Sequence, residues 1–342
     1  MAIKINQVSI KNQNILTDKF ERKHTYLRIS LTEKCNLRCT YCMPANGIPL
    51  SPKANLMSAD EIYTIAKEFV NLGVTKIRLT GGEPMVRKDF PLILEKLASL
   101  PVELGITTNG VLANRFISVL KENGVKTITI SIDSLHKDKF EKITRRNEFE
   151  KVWNTIQLFQ NEGFKIKLNI VLIKNFNEDE IIDFINLTKD RNLIIRFIEF
   201  MPFDGNQWNM DKLVTQQEIL DKVNYTFPLQ LKRLTDAPND TSRNYKIEGY
   251  TGSFAIISSV TNPFCDTCNR IRITADGKLK NCLFSGKEFS LLTPLRAQKS
   301  IVPAIQSALK HKFATRGGMD TSDKLKNPEL HSKNRSMISI GG

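Results

Sequence analysis

Three cysteines fall within eight residues, Cys35-x3-Cys39-x2-Cys42 in the segment SLTEKCNLRCTYCMP. Three thiolates from one loop can hold a metal centre and leave one coordination position open, and an open position serves chemistry rather than scaffolding. Structural zinc sites usually close with a fourth Cys or His, and the nearest histidines, His24 and His136, lie outside this loop. A 4Fe–4S cluster with one iron free of protein ligands therefore suits the set better than zinc. The remaining three cysteines form a second group, Cys265-x2-Cys268 followed by Cys282, and no His or further Cys lies between Val260 and Phe289 to complete a zinc site. Three ligands again leave an open iron, which could take a nitrogen or oxygen of a substrate. A zinc centre completed by a distant residue stays open as the alternative. Six cysteines in two groups of three exclude a disulfide scaffold and favour a reducing compartment.

Other polar motifs sit where strands end. Thr80-Gly81-Gly82-Glu83-Pro84 follows one β-rich run, and glycines there permit close backbone approach to a small zwitterion, with the Glu83 carboxylate available to an ammonium group. Alone, such a stretch would be a plain turn. Thr107-Thr108-Asn109-Gly110, Ser131-Ile132-Asp133 and Glu199-Phe200-Met201 follow three further runs. Arg28, Arg78, Lys167, Arg196, Arg270 and Arg272 lie inside strand-like runs. Each taken singly would be a structural ion pair, but several converging would clamp a triphosphate, because guanidinium groups match phosphate oxygens two bonds at a time.

The elements that must position these residues follow a regular alternation. From about residue 25 to 200, the β-rich runs TYLRISL, TKIRLT, VELGIT, KTITISI, KIKLNIVLI and LIIRFIEF alternate with amphipathic helical stretches, which predicts a parallel α/β sheet with its chemistry at the carboxyl ends of the strands. Ser58-Ala59-Asp60-Glu61 has the pattern of a capping box, and Ile62, Ile65, Ala66, Phe69 and Val70 then recur at helical spacing up to Gly73. A second helix is expected from Asn177-Glu178-Asp179-Glu180, with Ile181, Ile182, Phe184 and Ile185 inward. After residue 202 the pattern changes to a polar connector, a helix, and strands with turn signals, Asp276-Gly277 being the expected hairpin turn in RIRITADGKLKNCLF. A smaller C-terminal module around the second cysteine group is predicted, then a polar stretch from Ala314 to the terminal Gly341-Gly342.

With 342 residues, 41% hydrophobic and 25% charged, the chain can bury one large core or two modest ones. No apolar run is long enough to span a membrane, and the start MAIKINQVSIKNQN has no secretory pattern, so a cytoplasmic location is expected. Lys plus Arg number 50 against 36 Asp plus Glu, a net charge of +14. Such an excess suits a nucleoside triphosphate or a nucleic acid. The lysines are spread along the chain without an aromatic-interleaved basic stripe, which argues against nucleic acid as the main substrate.

Cys35-x3-Cys39-x2-Cys42 with Tyr41 before its last cysteine resembles the radical S-adenosylmethionine (SAM) enzymes. Taken with the TGGEP, the second triad, the CNRIR segment and the double-glycine end, the chain from about Tyr26 to Gly342 resembles the molybdenum cofactor biosynthesis protein A family, the GTP 3′,8-cyclases. The resemblance implies a partial (β/α)6 radical SAM barrel over 25–202, after an N-terminal extension over 1–24. It further implies a smaller α+β module over 203–313 carrying a second Fe–S cluster, and a tail over 314–342. It implies two 4Fe–4S clusters, one on Cys35, Cys39 and Cys42 that binds SAM, the other on Cys265, Cys268 and Cys282 that binds GTP. Tyr41, Gly82, Ser131 and Met201 match SAM contacts. Arg28, Arg78, Thr107, Lys167, Arg270, Ile271 and Arg272 match GTP contacts, Arg270 and Arg272 with a part in catalysis. Gly341 and Gly342 match a glycine pair that enters the active site. The implied reaction is cleavage of SAM to a 5′-deoxyadenosyl radical, abstraction of the 3′ hydrogen of GTP, and attack on C8 of guanine. The implied partners are GTP, an electron donor not readable from the sequence, and a cyclic pyranopterin monophosphate synthase that takes the product. A homodimer is an open assembly. Two other classes compete: a radical SAM peptide maturase, whose extension generally needs more cysteines, and a zinc-knuckle nucleic-acid module, which has no use for TGGEP after a strand.

Overall fold

The structure, a computed structural model, describes residues 15–44, 46–332 and 334–341. The six expected strands form as β1 (Tyr26–Ser30), β2 (Lys76–Thr80), β3 (Glu103–Thr108), β4 (Thr127–Ser131), β5 (Lys165–Leu172) and β6 (Leu193–Glu199). They pair in chain order and all in parallel. The chain returns between them through α1 (Ala59–Asn71), α2 (Phe90–Ala98), α3 (Ile117–Glu122), α4 (Lys137–Thr144), α5 (Phe149–Asn161) and α6 (Ile181–Asn186).

Local chemistry explains these elements. Helix α1 starts at the expected capping box, Ser58 accepting from Glu61 N while the Glu61 carboxylate accepts from Ser58 N. Its buried face is Ile62, Ile65, Ala66 and Phe69. Each of the larger side chains is worth about 1.5–3 kcal/mol when removed from water. Strands β5 and β6 alternate strictly: Ile166, Leu168 and Ile170, like Ile195 and Phe197, are fully buried in the core, while Lys167 and Asn169, like Arg196, fall on the other face.

One expectation changes. Asn177 does not cap α6, which is preceded by a single 3-10 turn at Glu178–Glu180. Its amide instead donates to the carbonyls of Asp133 and Val171 and accepts from Ile173 N, tying β4 to β5. The expected smaller C-terminal module is joined to the barrel through its sheet. Its strands β7 (Leu231–Arg233), β8 (Arg243–Ile247), β9 (Ser253–Ile257), β10 (Arg270–Ile273), β11 (Lys278–Lys280) and β12 (Phe289–Ser290) extend both edges of the same sheet. The order is β12-β11-β10-β1-β2-β3-β4-β5-β6-β9-β8-β7, with β10 parallel to β1 and β9 parallel to β6. A partial barrel leaves β1 and β6 with unpaired backbone groups, and these strands satisfy both edges. Gly277 supplies the left-handed residue (φ +70°) of the β10–β11 hairpin.

The remaining helices are α7 (Gln216–Thr226), α8 (Leu292–Arg296), α9 (Val302–Lys310), α10 (Ser322–Lys326), α11 (Pro328–Ser332) and α12 (Met337–Ile340). The last three belong to the tail, which is held down rather than loose: Ile338 and Ile340 are buried, and Arg335 binds Asp276 through two hydrogen bonds (3.0 and 2.9 Å) and Glu288 through a third (2.6 Å).

Candidate active site

The inward faces of β1, β2 and β10 define the floor of the site. Parallel register sets Tyr26 between Lys76 and Arg270, and Arg28 between Arg78 and Arg272. Three guanidinium-bearing residues thus occupy one row across three adjacent strands. Like charges placed side by side destabilise a sheet unless an anion lies among them. Burial, with the neighbouring Arg272, pushes the Arg28 guanidinium well below its ordinary range, and burial does the same to Arg272 and Arg196, both down to about 10. Lys167 falls to about 8 through burial and then the charges of Arg196 and Arg78. Tyr26 also falls to about 8: burial opposes ionisation, but Arg78 and Arg28 outweigh it. Gly105 stands opposite Arg78, and a Cβ there would lie 3.0 Å from the guanidinium, so a glycine keeps that space. Arg78 donates to Thr129 Oγ1 (3.0 Å), Thr107 Oγ1 (3.3 Å) and the Ile106 carbonyl.

The first cysteine loop follows β1. Its backbone is sewn to the end of α4 by Arg38 N to the Thr144 carbonyl and Thr40 N to the Ile143 carbonyl, both 2.9 Å. On its other side Gly82 N donates to the Thr32 carbonyl and Glu83 N to the Lys34 carbonyl. A Cβ on Gly82 would lie 2.3 Å from the Lys34 carbonyl oxygen, so only glycine allows the GGE turn to lie against this loop. The Glu83 carboxylate is not offered to a ligand as expected. It is fully buried, is absent from the cavity lining, and accepts from Asn109 N (2.7 Å), Thr108 Oγ1 (2.9 Å) and Met85 N (3.1 Å). Its role is to hold the loop after β3, whose Asn109 amide lies 3.6 Å from Cys35 Sγ.

Tyr41 donates to Asp133 Oδ2 (2.8 Å), and Val171 N donates to Asp133 Oδ1 (2.8 Å). Asn206 donates to the carbonyls of Met201 (2.8 Å) and Tyr41 (3.2 Å), fixing two candidate SAM contacts to each other. The cysteines here resist ionisation. Burial and then Glu83 push Cys35 up to about 11, burial and Asp133 raise Cys39, and burial and Cys35 raise Cys42. Three half-buried thiols of this kind become thiolates when metal cations compensate their charge. All six cysteines are free. Among the described residues no group of three or more His, Cys, Asp or Glu is arranged to hold one metal ion. A four-iron cluster has a different requirement, because each thiolate binds its own iron.

The second cysteine loop, with a 3-10 turn at Cys265–Thr267, leads into β10, and Cys282 follows β11. Burial raises Cys265, and for Cys268 the opposing charges of Lys312, Arg270 and Arg22 outweigh burial, so its thiol falls below the usual range. Carboxylates thus dominate the charges acting on Cys35 and Cys39, whereas cations dominate those acting on Cys268.

One cavity of about 600 Å³ joins them. Cys35, Cys39, Cys42, Cys265, Cys268 and Cys282 all line it. So do Tyr41, Gly82, Ser131 and Met201, and so do Arg28, Arg78, Thr107, Lys167, Arg270, Ile271 and Arg272. Buried polar atoms of lining residues, Asn169 Oδ1, Asn269 Oδ1, Asn281 Oδ1 and Arg270 Nη1, have no partner among the described residues. Buried polar groups are normally satisfied, so these atoms mark places for a polar ligand. Gly341 reaches the edge of this space: Arg272 Nη1 donates to its carbonyl (2.7 Å), and a Cβ on it would lie 2.4 Å from Thr80 Oγ1. Gly342 and residues 1–14 of the N-terminal extension lie outside the described residues.

Several lining residues escaped sequence reasoning. Lys76 is carried in TKIRLT two positions before Arg78, on the same face, and that period of two was the available signal. The loop Asn239-Asp240 carries none, since only the fold brings it here.

Comparison with known proteins agrees with this geometry. The Radical SAM superfamily model matches residues 29–188, and the Molybdenum Cofactor Synthesis C model matches residues 193–317. The chain is 47% identical over 346 residues to "GTP 3′,8-cyclase, mitochondrial" of Arabidopsis thaliana, covering 99% of this chain and 86% of that protein. It is 39% identical over 336 residues to "GTP 3′,8-cyclase" of Peptoclostridium acidaminophilum, covering 97% and 99%. It is 49% identical over 320 residues to "Molybdenum cofactor biosynthesis protein moc-5" of Caenorhabditis elegans, covering 92% and 53%. The chain thus spans about half the length of the animal relatives it matches. Among solved structures, SuiB of Streptococcus suis bound to the precursor peptide SuiA superposes with a TM-score of 0.59 at 16% identity, covering 95% of this chain and 73% of that one. At that identity the likeness concerns the fold. No helix among the described residues is long and apolar enough to cross a membrane.

Proposed function

The chain belongs to the radical SAM family of molybdenum cofactor biosynthesis proteins that includes the GTP 3′,8-cyclases, and on that premise we propose that it cyclises GTP to 3′,8-cyclo-7,8-dihydroguanosine triphosphate. The observation that carries this reading is the single cavity lined by both thiolate triads and by the row of cations between them. A zinc-knuckle nucleic-acid module has no need for two triads that line one cavity.

In this reading Cys35, Cys39 and Cys42 hold a 4Fe–4S cluster with SAM, and Cys265, Cys268 and Cys282 hold a second cluster. Reduced in this setting, SAM supplies a 5′-deoxyadenosyl radical able to take a hydrogen from an unactivated carbon. The chain's own residues do the rest. Gly82 lets the GGE turn lie against the cysteine loop, where it faces the methionyl end of SAM, and Tyr41, fixed through Asp133, sets that loop. Arg28, Arg78, Lys167 and Arg270 bind the triphosphate through charge-assisted hydrogen bonds. Holding phosphate, ribose and base together converts an encounter into an oriented contact, worth on the order of 7–11 kcal/mol. Arg272 carries the tail glycine to the cavity edge, which narrows the opening and excludes water.

The partners follow from this chemistry: GTP, a low-potential one-electron donor, and an enzyme that consumes the cyclic triphosphate, as a cyclic pyranopterin monophosphate synthase would. A cytoplasmic location is retained in this proposal, and cell fractionation tests it. The test of the reaction is anaerobic incubation of the iron-reconstituted protein with SAM and reductant, with and without GTP, followed by mass spectrometry. Formation of 5′-deoxyadenosine together with an altered guanosine triphosphate supports the cyclase. SAM cleavage with GTP untouched sends the assignment to another radical SAM substrate, and absence of iron returns it to zinc.

A further inference from the structure

Residues 16–24, which precede the barrel, pack beneath the second cysteine loop instead of standing apart from it. Arg22, paired with Asp18 (2.7 Å), donates to the Cys265 carbonyl (2.8 Å), and to the carbonyls of Ala314 (2.7 Å) and Phe313 (2.8 Å). His24 is fully buried, and its Nδ1 lies 3.0 Å from the Leu16 carbonyl. A carbonyl only accepts, so Nδ1 carries the proton and Nε2 presents a lone pair. That lone pair receives Lys312 Nζ at 2.8 Å. The two other hydrogens of the Lys312 ammonium go to the Arg270 carbonyl (3.0 Å) and to Cys268 Sγ (3.7 Å).

Lys312 is 3% exposed, and among the described residues no carboxylate pairs with it. The carboxylate in this network, Asp18, is paired with Arg22 and reaches only His24 Nε2 (3.7 Å), and the other charged groups at this place, Arg22 and Arg270, are also cations. A buried ammonium without an anion is costly, by several kcal/mol in general. Among the described residues the acceptor bonded to it that can carry negative charge is the sulfur of Cys268. Burial and the Lys312 charge hold His24 neutral, its ring down at about 3, which keeps the lone pair available.

We infer that Lys312, oriented by neutral His24, is a positioning residue whose charge and hydrogen bond to Cys268 raise the reduction potential of the second iron–sulfur centre. The inference rests on the proposed function, since it presumes a cluster on Cys265, Cys268 and Cys282. Hydrogen bonds and positive charge at a cluster sulfur stabilise the more electron-rich state, so they move the potential upward. At the first triad the carboxylates of Glu83 and Asp133 act on the sulfurs, and the one cation beside Cys35 among the causes of its shift, Arg38, acts more weakly than Glu83. The two centres would therefore differ in potential, the second being the easier to reduce. Residues 16–24 become part of the second site, fixing from 288 positions away the lysine that touches it.

The test uses the full chain with Cys35, Cys39 and Cys42 each changed to serine, so that only the second centre takes up iron. Iron and sulfide content is measured, then the midpoint potential by redox titration followed by electron paramagnetic resonance. In that background Lys312→Met is expected to keep its iron and to shift the potential to more negative values, with altered g-values. Lys312→Arg should stay near the parent, and His24→Phe should shift in the same direction as Lys312→Met by a smaller amount. An iron-loaded Lys312→Met protein with the parent's potential and spectrum overturns the inference. Should Lys312→Met fail to hold iron, Lys312→Arg decides: iron held at the parent's potential supports a charge at this position, whereas loss of iron there too assigns Lys312 to packing and overturns it. If the parent background itself takes up no iron, the reading of a second cluster fails, and this inference falls with it.

Discussion

Arg28 on β1 lies in register beside Arg272 on β10, the strand pair that joins the barrel's first strand to the second cysteine loop. Their neighbour on the other side is Arg78. Such a row is unfavourable in the free protein and favourable once a polyanion lies on it. Arg28→Met is therefore expected to raise the melting temperature of the ligand-free protein while weakening GTP binding roughly 10- to 100-fold, the loss of one strong charge-assisted contact. Calorimetry of GTP binding and a thermal scan check both halves. Unchanged affinity would remove Arg28 from the triphosphate site.

Binding should also depend on pH. In the free protein Lys167 is pushed down to about 8, and a bound triphosphate favours its ammonium form. Below pH 8 the proton is already present and affinity stays level. Above it each binding event must take up a proton, so affinity falls by up to about tenfold per pH unit. Tyr26, also near 8, becomes a phenolate over the same range and adds to the loss. Isothermal titration in two buffers of different ionisation enthalpy, at pH 7 and 9, reads the proton uptake, and Lys167→Met should flatten its larger share.

The end of the chain is seated by contact. Gly341 adopts φ +74°, and a side chain there would meet Thr80 Oγ1 at 2.4 Å. Gly341→Ala is expected to cut GTP conversion by about a hundredfold, the scale of a 1 Å displacement at a reacting centre. Iron content and SAM binding should not change. Arg335→Gln, which releases the tail from Asp276 and Glu288, should expose the C-terminus to proteolysis and lower turnover in parallel. A protease-resistant tail in that variant would contradict the anchoring role.

Gly82 carries a different load. Any Cβ there collides with the Lys34 carbonyl at 2.3 Å, in the loop that begins the first triad. Gly82→Ala should lower iron at the first centre and abolish SAM cleavage, while iron at Cys265, Cys268 and Cys282 persists. Comparing iron content in this variant and in the triple-serine background separates the two centres.

The local features of the sequence carried the parts of this structure that depend on near neighbours. Period-two runs placed β1 to β6, the Ser58–Glu61 pair placed the start of α1, and Asp276-Gly277 placed a hairpin. Both triads and the row residues Arg28, Arg78, Arg270 and Arg272 were visible for the same reason. Contacts between distant segments were not. Nothing in the spacing of His24 and Lys312 says that they meet, and nothing in KIEGYTGSFAIISSV says that β9 closes the β6 edge while β10 closes the β1 edge. Glu83 was misjudged because a carboxylate after two glycines reads as exposed, whereas three hydrogen-bond donors bury it. The anchoring of the polar tail is not legible in the sequence because the partners of Arg335, Asp276 and Glu288, lie about fifty residues away.

The central claim is that the two thiolate triads open on one substrate held between them. Anaerobic turnover with GTP carrying deuterium at the ribose 3′ position tests it most directly, since the hydrogen must pass from the nucleotide to SAM-derived 5′-deoxyadenosine across that cavity. The account predicts deuterium in the 5′-deoxyadenosine and its loss from the guanosine product. Cleavage of SAM with the deuterium still in the nucleotide would contradict it.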